Sequence, residues 1–231
     1  SKLWDAMSFR VVVTRNYLKP MKLFWTPASP FTRKVGVTAR ELHLWDNIEI
    51  LPTTWSLQWG YRTVPFTPGL AEANPVARIP TLITEGGDAL GDSTLACLYL
   101  NDVSDDKKLI PEGEEKWRMW SLHDSADGML EAQILMRAEH LRPTDIRSDS
   151  FLDKQKDRIE RCLDAMEARA SELDGPLNLA QITVGVTCSY QDWRDWLDDF
   201  RPNRPRLTDW YARFSERDSM KITAPQETPE Q

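Results

Sequence analysis

The chain has 231 residues, of which 41% are hydrophobic and 28% charged, a composition typical of a globular protein with one or two domains. Its formal net charge of −7 argues against a nucleic-acid-binding protein, which usually carries a basic surface. No apolar run approaches the roughly 20 residues that a membrane span requires, and no secretory leader is recognisable. The sequence therefore indicates neither a membrane nor a nucleic acid as partner.

Cysteine and histidine are sparse, with three residues of each type, and they lie far apart along the chain. Neither a disulfide framework nor a metal site is expected from this spacing. Such cysteine usage is typical of a reducing compartment, so we expect a cytoplasmic protein without a metal.

Residues 1–20 contain a strand-like patch, but the pattern of a compact domain begins only at Met21. We interpret residues 1–20 as an N-terminal extension. The alternative is an added edge strand.

From Met21 the pattern predicts a small α/β sandwich, because short alternating strands are interleaved with helical spacing. The predicted elements are, in chain order, a strand at 21–25, a helix that begins at Ser29 and Pro30, a strand at 48–51, a long loop with a short helix at 53–73, a strand at 79–84, a Gly86-Gly87 hairpin turn into a strand at 89–90, and a helix that begins at Asp92 and Ser93. This unit spans residues 21–103.

Beyond a charged linker at 104–111, the chain lacks strand signals and predicts an all-helical unit at 112–224 with a loose tail at 225–231. Ile159, Leu163 and Met166 mark the apolar face of one helix. A cluster of tryptophans stands at helical positions, and most of them are predicted to be core. Its members are Trp117, Trp120, Trp193, Trp196 and Trp210.

Three stretches of the sequence resemble the glutathione S-transferase superfamily. Residues 21–35 are similar to the first strand and first helix of bacterial members, which carry a hydroxyl residue at the start of that helix. Residues 74–82 resemble the family's NPxxxIPxL turn with its cis-proline, and residues 90–93 resemble the acidic-Ser pair that opens the third helix. The resemblance implies a thioredoxin-like N-terminal domain that binds glutathione, an all-α C-terminal domain that supplies the cleft for an apolar electrophile, and a homodimer.

Ser29 is the candidate catalytic residue under this resemblance. It stands at a predicted helix N-terminus, where unpaired N–H groups and the helix dipole favour negative charge. Its hydroxyl could hold the glutathione thiolate, which is the nucleophile. Ser29 could equally serve only as an N-cap. Thr26, Thr32 and Trp25 are then the other candidates for the sulfur contact.

The resemblance also implies the residues that bind the rest of glutathione. Ser93 would take the γ-glutamyl carboxylate at the N-terminus of the third helix, or would only cap that helix, and Asp92 or a carboxylate from the dimer partner would suit the amine. A cis Pro80 would leave the backbone of Ile79 to pair with the cysteinyl part as an added strand. Arg78 could reach the glycyl carboxylate or could simply be solvated.

Two stretches depart from the family's pattern. Asn178 and Gln181 replace the usual Ser or Thr and Asp at the start of the sixth helix, yet they can still form a reciprocal cap. The loop at 53–73 is longer than usual, and its aromatic residues could be packed or could form a hydrophobic substrate wall. These aromatics are Trp55, Trp59, Tyr61 and Phe66.

The sequence thus predicts a glutathione transferase that activates the thiolate for attack on an apolar electrophile. A glutathione-dependent isomerase or reductase is one alternative, although Ala28 or Ser29 stands where redox-active relatives carry cysteine. A non-catalytic glutathione-binding or scaffold module is the other.

Overall fold

This computed structural model describes residues 19–53 and 67–227, which contain a four-stranded sheet, eight α-helices and three short 3-10 helices (Trp45–Asn47, Thr144–Ile146 and Ala170–Leu173). The strands are β1 (Met21–Trp25), β2 (Ile48–Pro52), β3 (Thr81–Ile83) and β4 (Ala89–Leu90). The helices are α1 (Pro30–Glu41), α2 (Leu70–Ala73), α3 (Ser93–Val103), α4 (Gly113–His140), α5 (Asp149–Ala168), α6 (Leu179–Trp193), α7 (Pro205–Phe214) and α8 (Asp218–Ile222). The predicted extension at 1–20 and the aromatics of the long loop lie outside the described residues, apart from residues 19 and 20.

The sheet is mixed, with the strand order β2-β1-β3-β4. β1 and β2 are parallel and are joined through α1, whereas β1 pairs antiparallel with β3, and β3 with β4. The order of strands and helices predicted for residues 21–103 is confirmed, including a short helix within the long connection before β3.

Helix α1 lies at the centre of the molecule, packed against α3, α6 and α8. Its apolar face buries Val35 and Ala39 completely. The same helix also buries the charged side chains of Arg33 and Lys34, so its polar atoms need partners from other elements. Those partners come from both halves of the chain.

Helix α6 forms the core of the helical half and is buried on nearly all sides. The predicted capping box is present: Asn178 Oδ1 accepts from the Gln181 backbone N–H, and Gln181 Oε1 accepts from the Asn178 N–H, both at 3.2 Å. Gln181 also donates from Nε2 to the carbonyls of Leu173 and Gly175. The Gln181 amide therefore both completes the cap of α6 and ties the start of this helix to the preceding turn.

Four of the five tryptophans predicted at helical positions contribute to the core, because Trp210 belongs to it and three others pack against it. Only Trp210 is buried, while Trp120, Trp193 and Trp196 are half-buried and Trp117 is 66% exposed. Helical spacing identifies residues that share a face, but it does not say whether another part of the same chain covers that face.

Residues 225–227, the described part of the predicted tail, continue a segment that contacts other elements of the chain. The segment 217–227 runs back along α1, antiparallel to it. Four contacts fix it in this order: Arg217 to Glu41, Met220 O to Arg33, Thr223 Oγ1 to Arg33, and the Gln226 N–H to Pro27 O. We call residues 217–227 the C-terminal strap.

Candidate functional site

Three segments of the small α/β unit meet at one edge of the sheet. Phe24 in β1 pairs with Thr81 in β3, so continuation of this register brings the end of β1 beside Ile79 and Pro80. Leu90 in β4 pairs with Leu82 in β3, which brings the residues after β4 to the same edge. The predicted segments around Ser29, Pro80 and Ser93 therefore converge, although they are far apart in the sequence.

Ser29 is the N-cap of α1, and Pro30 occupies the first helical turn, as the sequence predicts. Ser29 Oγ accepts a hydrogen bond from the Thr32 N–H at 3.3 Å. Within the described residues, Ser29 Oγ donates to no group, and the side chain is half-buried. The same hydroxyl can therefore cap the helix and still donate to a ligand, so the two roles weighed for Ser29 are compatible.

Two of the alternative sulfur contacts are engaged elsewhere. The Thr32 hydroxyl is fully buried and donates to the carbonyls of Thr26 and Ser29, at 2.7 and 2.9 Å. The Trp25 indole packs against Gly36 of α1, where an added Cβ would lie 2.6 Å from the ring, and it meets Trp45 edge-on at 5.5 Å. Ser29 therefore offers a more accessible hydroxyl than Thr32.

Asn74 organises the turn that leads into β3. Its Nδ2 donates to Thr81 Oγ1 at 3.0 Å, and its Oδ1 accepts from the Val76 N–H at 3.1 Å. The Asn74 amide also lies against Gly91, where a Cβ would collide with it. Glycine at position 91 thus lets the turn approach the start of α3.

The Ile79–Pro80 peptide bond is cis, as the resemblance implies. Ile79 precedes β3, and its backbone N–H and C=O form no hydrogen bond among residues 19–53 and 67–227. They are available to an extended ligand that adds to the sheet edge. The Arg78 side chain is exposed.

Asp92 and Ser93 open α3. Asp92 is the N-cap, and its Oδ1 accepts from the Thr94 and Leu95 N–H groups at 2.8 and 2.9 Å. Ser93 is 4% exposed, and in the described part of the chain its hydroxyl has no hydrogen-bond partner. This first turn of α3 therefore presents an unpaired hydroxyl and a helix N-terminus at the sheet edge.

A buried polar cluster below this turn was missed by sequence reasoning. Lys34 Nζ donates to Asp127 Oδ1 at 2.5 Å and to Thr94 Oγ1 at 3.2 Å, and His123 Nε2 lies 3.5 Å from the same Thr94 oxygen. The signal was present, because Lys34 falls three residues after Phe31 on the predicted apolar face of α1.

The pKa of His123 is lowered to about 4, mainly by burial and also by the nearby Lys34 ammonium, whereas Asp127 and Asp92 oppose the shift. The imidazole is therefore neutral at physiological pH. Lys34 consequently brings the positive charge of this cluster, directly beneath the start of α3.

No group of three or more His, Cys, Asp and Glu side chains that could hold a metal is found in the described ranges. Among the helices of these ranges, none combines the length and apolar character of a membrane span.

The chain was compared with known proteins. Residues 28–103 match the family profile described as glutathione S-transferase, N-terminal domain. The uncharacterized GST-like protein YibF of Escherichia coli (strain K12) is 27% identical over 212 residues, which cover 89% of this chain and 98% of that protein.

Solved structures agree with these matches. A glutathione transferase family member from Pseudomonas fluorescens Pf-5, with bound glutathione, is 33% identical and has a TM-score of 0.82; the match covers 90% of this chain and all (100%) of that one. A structure of a family member from the same organism with bound S-(propanoic acid)-glutathione is 32% identical, with a TM-score of 0.80 and coverage of 90% and 100%.

These matches confirm the expected fold, a thioredoxin-like N-terminal unit followed by an all-α unit. They extend over nearly the whole of each related protein, at an identity above 30% for the solved structures from Pseudomonas fluorescens. The chain belongs to the glutathione S-transferase superfamily.

Proposed function

We propose that the chain is a glutathione transferase that uses glutathione as co-substrate and activates its thiolate for attack on an apolar electrophile. One observation carries the proposal: the unengaged hydroxyl hydrogen of Ser29, the free backbone of Ile79 and the unpaired hydroxyl of Ser93 meet at one sheet edge. These groups suit a thiol, an extended backbone and a carboxylate, respectively, which are the parts of glutathione.

Ser29 is the proposed catalytic residue. A free thiol has a pKa of about 8.5, so only a small fraction is thiolate at neutral pH. A hydroxyl donor and the N-terminus of α1 both stabilise the anion, and a lowering of the thiol pKa by about two units corresponds to about 2.7 kcal/mol. The thiol proton leaves to solvent, and the sulfur lone pair forms the C–S bond as the leaving group departs with its electron pair.

Ile79, Pro80, Asp92 and Ser93 are the proposed glutathione-binding residues. Ser93 and the first N–H groups of α3 would hold the γ-glutamyl carboxylate. Asp92 uses Oδ1 to cap α3, which leaves its Oδ2 for the amine of the ligand. Ile79 would pair with the cysteinyl backbone.

The experiment that tests the catalytic role is a pH titration of enzyme-bound glutathione, followed by the thiolate absorbance near 240 nm. The Ser29→Ala variant should show the pKa of the bound thiol raised towards the free value of about 8.5. Ser93→Ala is the matched control, because it should weaken glutathione binding and leave the pKa of the bound thiol unchanged. An unmoved pKa in Ser29→Ala would make Ser29 a cap only.

A glutathione-dependent reductase is a weaker candidate because no cysteine occupies the β1–α1 loop. Cys97 and Cys188 are buried, and burial raises the pKa of Cys97 to about 11. A glutathione-binding module without turnover is the remaining alternative. Retention on a glutathione column without conjugation of a chloronitrobenzene would favour it over the transferase.

We also propose a homodimer in the cytoplasm. Leu95 at the start of α3 and Trp117 in the first turns of α4 are 46% and 66% exposed, which leaves large apolar side chains for a second copy to cover. Light scattering after gel filtration should give twice the chain mass, and Trp117→Glu should shift it towards the monomer. The free state of all three cysteines suits a reducing compartment.

The proposed domain organisation is an extension at 1–20, a glutathione-binding unit at 21–103, a linker at 104–111, a helical unit at 112–224 and a tail at 225–231. Leu109 within the linker is buried and accepts the Leu179 N–H at 2.9 Å, so this linker is fixed to the start of α6. Limited proteolysis should therefore spare residues 104–111.

A further inference from the structure

The C-terminal strap ends beside the proposed catalytic loop. The Gln226 N–H donates to Pro27 O at 3.4 Å, and Pro27 lies two residues before Ser29. The next residue, Glu227, reaches across to Arg194, whose Nη1 donates to Glu227 Oε1 at 2.5 Å. These two contacts link Arg194, which follows α6, through the strap to the loop that carries Ser29.

The Arg194 side chain is fixed in position, but its hydrogen-bonding capacity is not fully used among the described residues. Its guanidinium lies 3.5 Å from the Trp193 ring centroid, a stacking contact that fixes the plane of the group. Its Nε and Nη2 are buried without any hydrogen-bond partner in the described chain. A buried guanidinium with unpaired donors is unfavourable, and an anion is the ligand that such donors fit best.

Arg137 brings a second positive charge to the same place. It stands one helical turn beyond Gln133 on α4, and Gln133 Nε2 donates to Gln191 Oε1 of α6 at 2.7 Å. Arg137 is thereby brought level with the end of α6, within electrostatic range of Arg194, Tyr190 and Glu227. Its side chain forms no hydrogen bond or ion pair within the described ranges.

Tyr190 completes the cluster with a buried hydroxyl that lies beside the Arg194 guanidinium. Burial raises the pKa of Tyr190, while the two guanidinium groups act against this rise. The phenol is therefore a neutral hydrogen-bond donor. In the part of the chain that the structure describes, the two cations and this donor face the carboxylate of Glu227.

We propose that Arg194 and Arg137 bind an anionic group of the electrophile, which takes the place of the Glu227 carboxylate. The substrate class is then an electrophile with an apolar body and a carboxylate or similar monoanion. This inference rests on the proposed function, because it assigns the second substrate of that site.

The different exposures of the two partners allow one carboxylate to be exchanged for another. The Glu227 side chain is 67% exposed, whereas that of Arg194 is 9% exposed, so the anion that departs is hydrated and the cation stays in place. The rings of Tyr190 and Trp193, which contact the Arg194 guanidinium, offer apolar surface to the rest of the electrophile.

The test measures binding of stable glutathione conjugates to the full chain by calorimetry, so that it does not depend on turnover. Two pairs differ only in charge: S-(carboxymethyl)glutathione against S-(carbamoylmethyl)glutathione, and S-(4-carboxybenzyl)glutathione against the corresponding amide. In at least one pair, the acid should bind about tenfold more tightly than its amide, as expected for a hydrogen-bonded charge pair.

Variants assign this preference to the cluster. Arg194→Gln should bring the ratio of acid to amide affinity close to one and leave the amide affinity unchanged. Glu227→Gln should tighten binding of the acid several-fold, a gain that a misfolded variant could not produce. Arg213→Gln is the matched control, because Arg213 is an exposed arginine paired with Asp174 on the helical unit, and it should change neither affinity.

The outcomes separate this inference from the proposed function. Equal binding of acid and amide in both pairs overturns the anion site and leaves the glutathione site standing. Absence of binding by all four conjugates overturns the glutathione site and the anion site together. An acid preference that persists in Arg194→Gln overturns the assignment to Arg194.

Discussion

The Lys34 ammonium lies 2.5 Å from Asp127 Oδ1, with the lysine side chain 0% exposed and the aspartate side chain 28% exposed. This ion pair joins α1, which starts at the proposed catalytic loop, to α4 of the helical half. The two partners differ in their access to water. Removal of one partner should therefore lower the free energy of unfolding by an amount that depends on which partner remains.

The first prediction follows from that asymmetry. Asp127→Asn leaves a buried ammonium with a neutral partner and should lower the free energy of unfolding by about 3 kcal/mol. Lys34→Met leaves a carboxylate that water can reach and should cost about 1 kcal/mol. Urea denaturation measures both. Equal losses would contradict this account, and Lys156→Met, which breaks an exposed pair with Asp198, is the control that should change little.

The second prediction concerns acid stability. Because the pKa of folded His123 is about 4 and its unfolded value is 6.5, only the unfolded state gains a proton between these values. The contribution of His123 to the free energy of unfolding is therefore fully present above pH 6.5 and is lost as the pH drops towards 4. The loss is about 2 kcal/mol at pH 5 relative to pH 7.5.

The His123→Gln variant should lose this part of the pH dependence. Unfolding free energies at pH 7.5 and pH 5 give the comparison with the parent chain, and His43→Gln, which changes an exposed histidine, serves as control. If His123→Gln keeps the full pH dependence of the parent, the buried imidazole is not the group responsible.

The third prediction is that Ser93→Ala raises the KM for glutathione by roughly ten- to a hundredfold, because a hydrogen bond to a charged group contributes about 1.5–3 kcal/mol. The Ser93 hydroxyl has no partner in the described structure, so its removal should leave the unfolding free energy nearly unchanged. Steady-state kinetics at varied glutathione concentration provide the test, with Ser125→Ala, whose hydroxyl donates to Ser121 O on α4, as control. An unchanged KM would remove Ser93 from the glutathione site.

The fourth prediction concerns the cap of α6. Asn178→Ala removes one capping bond and should cost about 1 kcal/mol. Gln181→Ala removes the reciprocal bond and also leaves the carbonyls of Leu173 and Gly175 without their donor, so the loss should be about 2–3 kcal/mol. Denaturant melts of both variants give the order, and a reversed order would show that the two carbonyls find other partners.

The features that could be predicted from the sequence are those fixed by neighbouring residues. Ser29 before Pro30 marks a helix start, and Asn178 with Gln181 marks a reciprocal cap, because both patterns use contacts within four residues. The strands were predicted for the same reason, from alternation over a few positions. The positions of Ile79 and Ser93 at one edge required the resemblance, since the register of β3 is a long-range property.

The features that could not be predicted depend on distant contacts. Arg33 donates a hydrogen bond to Thr223, 190 residues further along the chain, and no pattern of neighbouring residues predicts such a contact. The burial of Lys34 was missed because a lysine is expected to be solvated unless a buried partner is known, and here that partner is the distant Asp127. The exposure of Trp117 could not be predicted either, because helical spacing gives a shared face without saying what covers it.

The C-terminal strap has a consequence for the order in which the chain can fold during synthesis. Arg33 in α1 is buried and finds its hydrogen-bond acceptors at Met220 and Thr223. When the ribosome has made the sheet and α1, these acceptors have not yet been added to the chain. Helix α1 therefore stays incompletely buried until the strap has been synthesised. The site at the N-terminus of α1 is completed only at that stage.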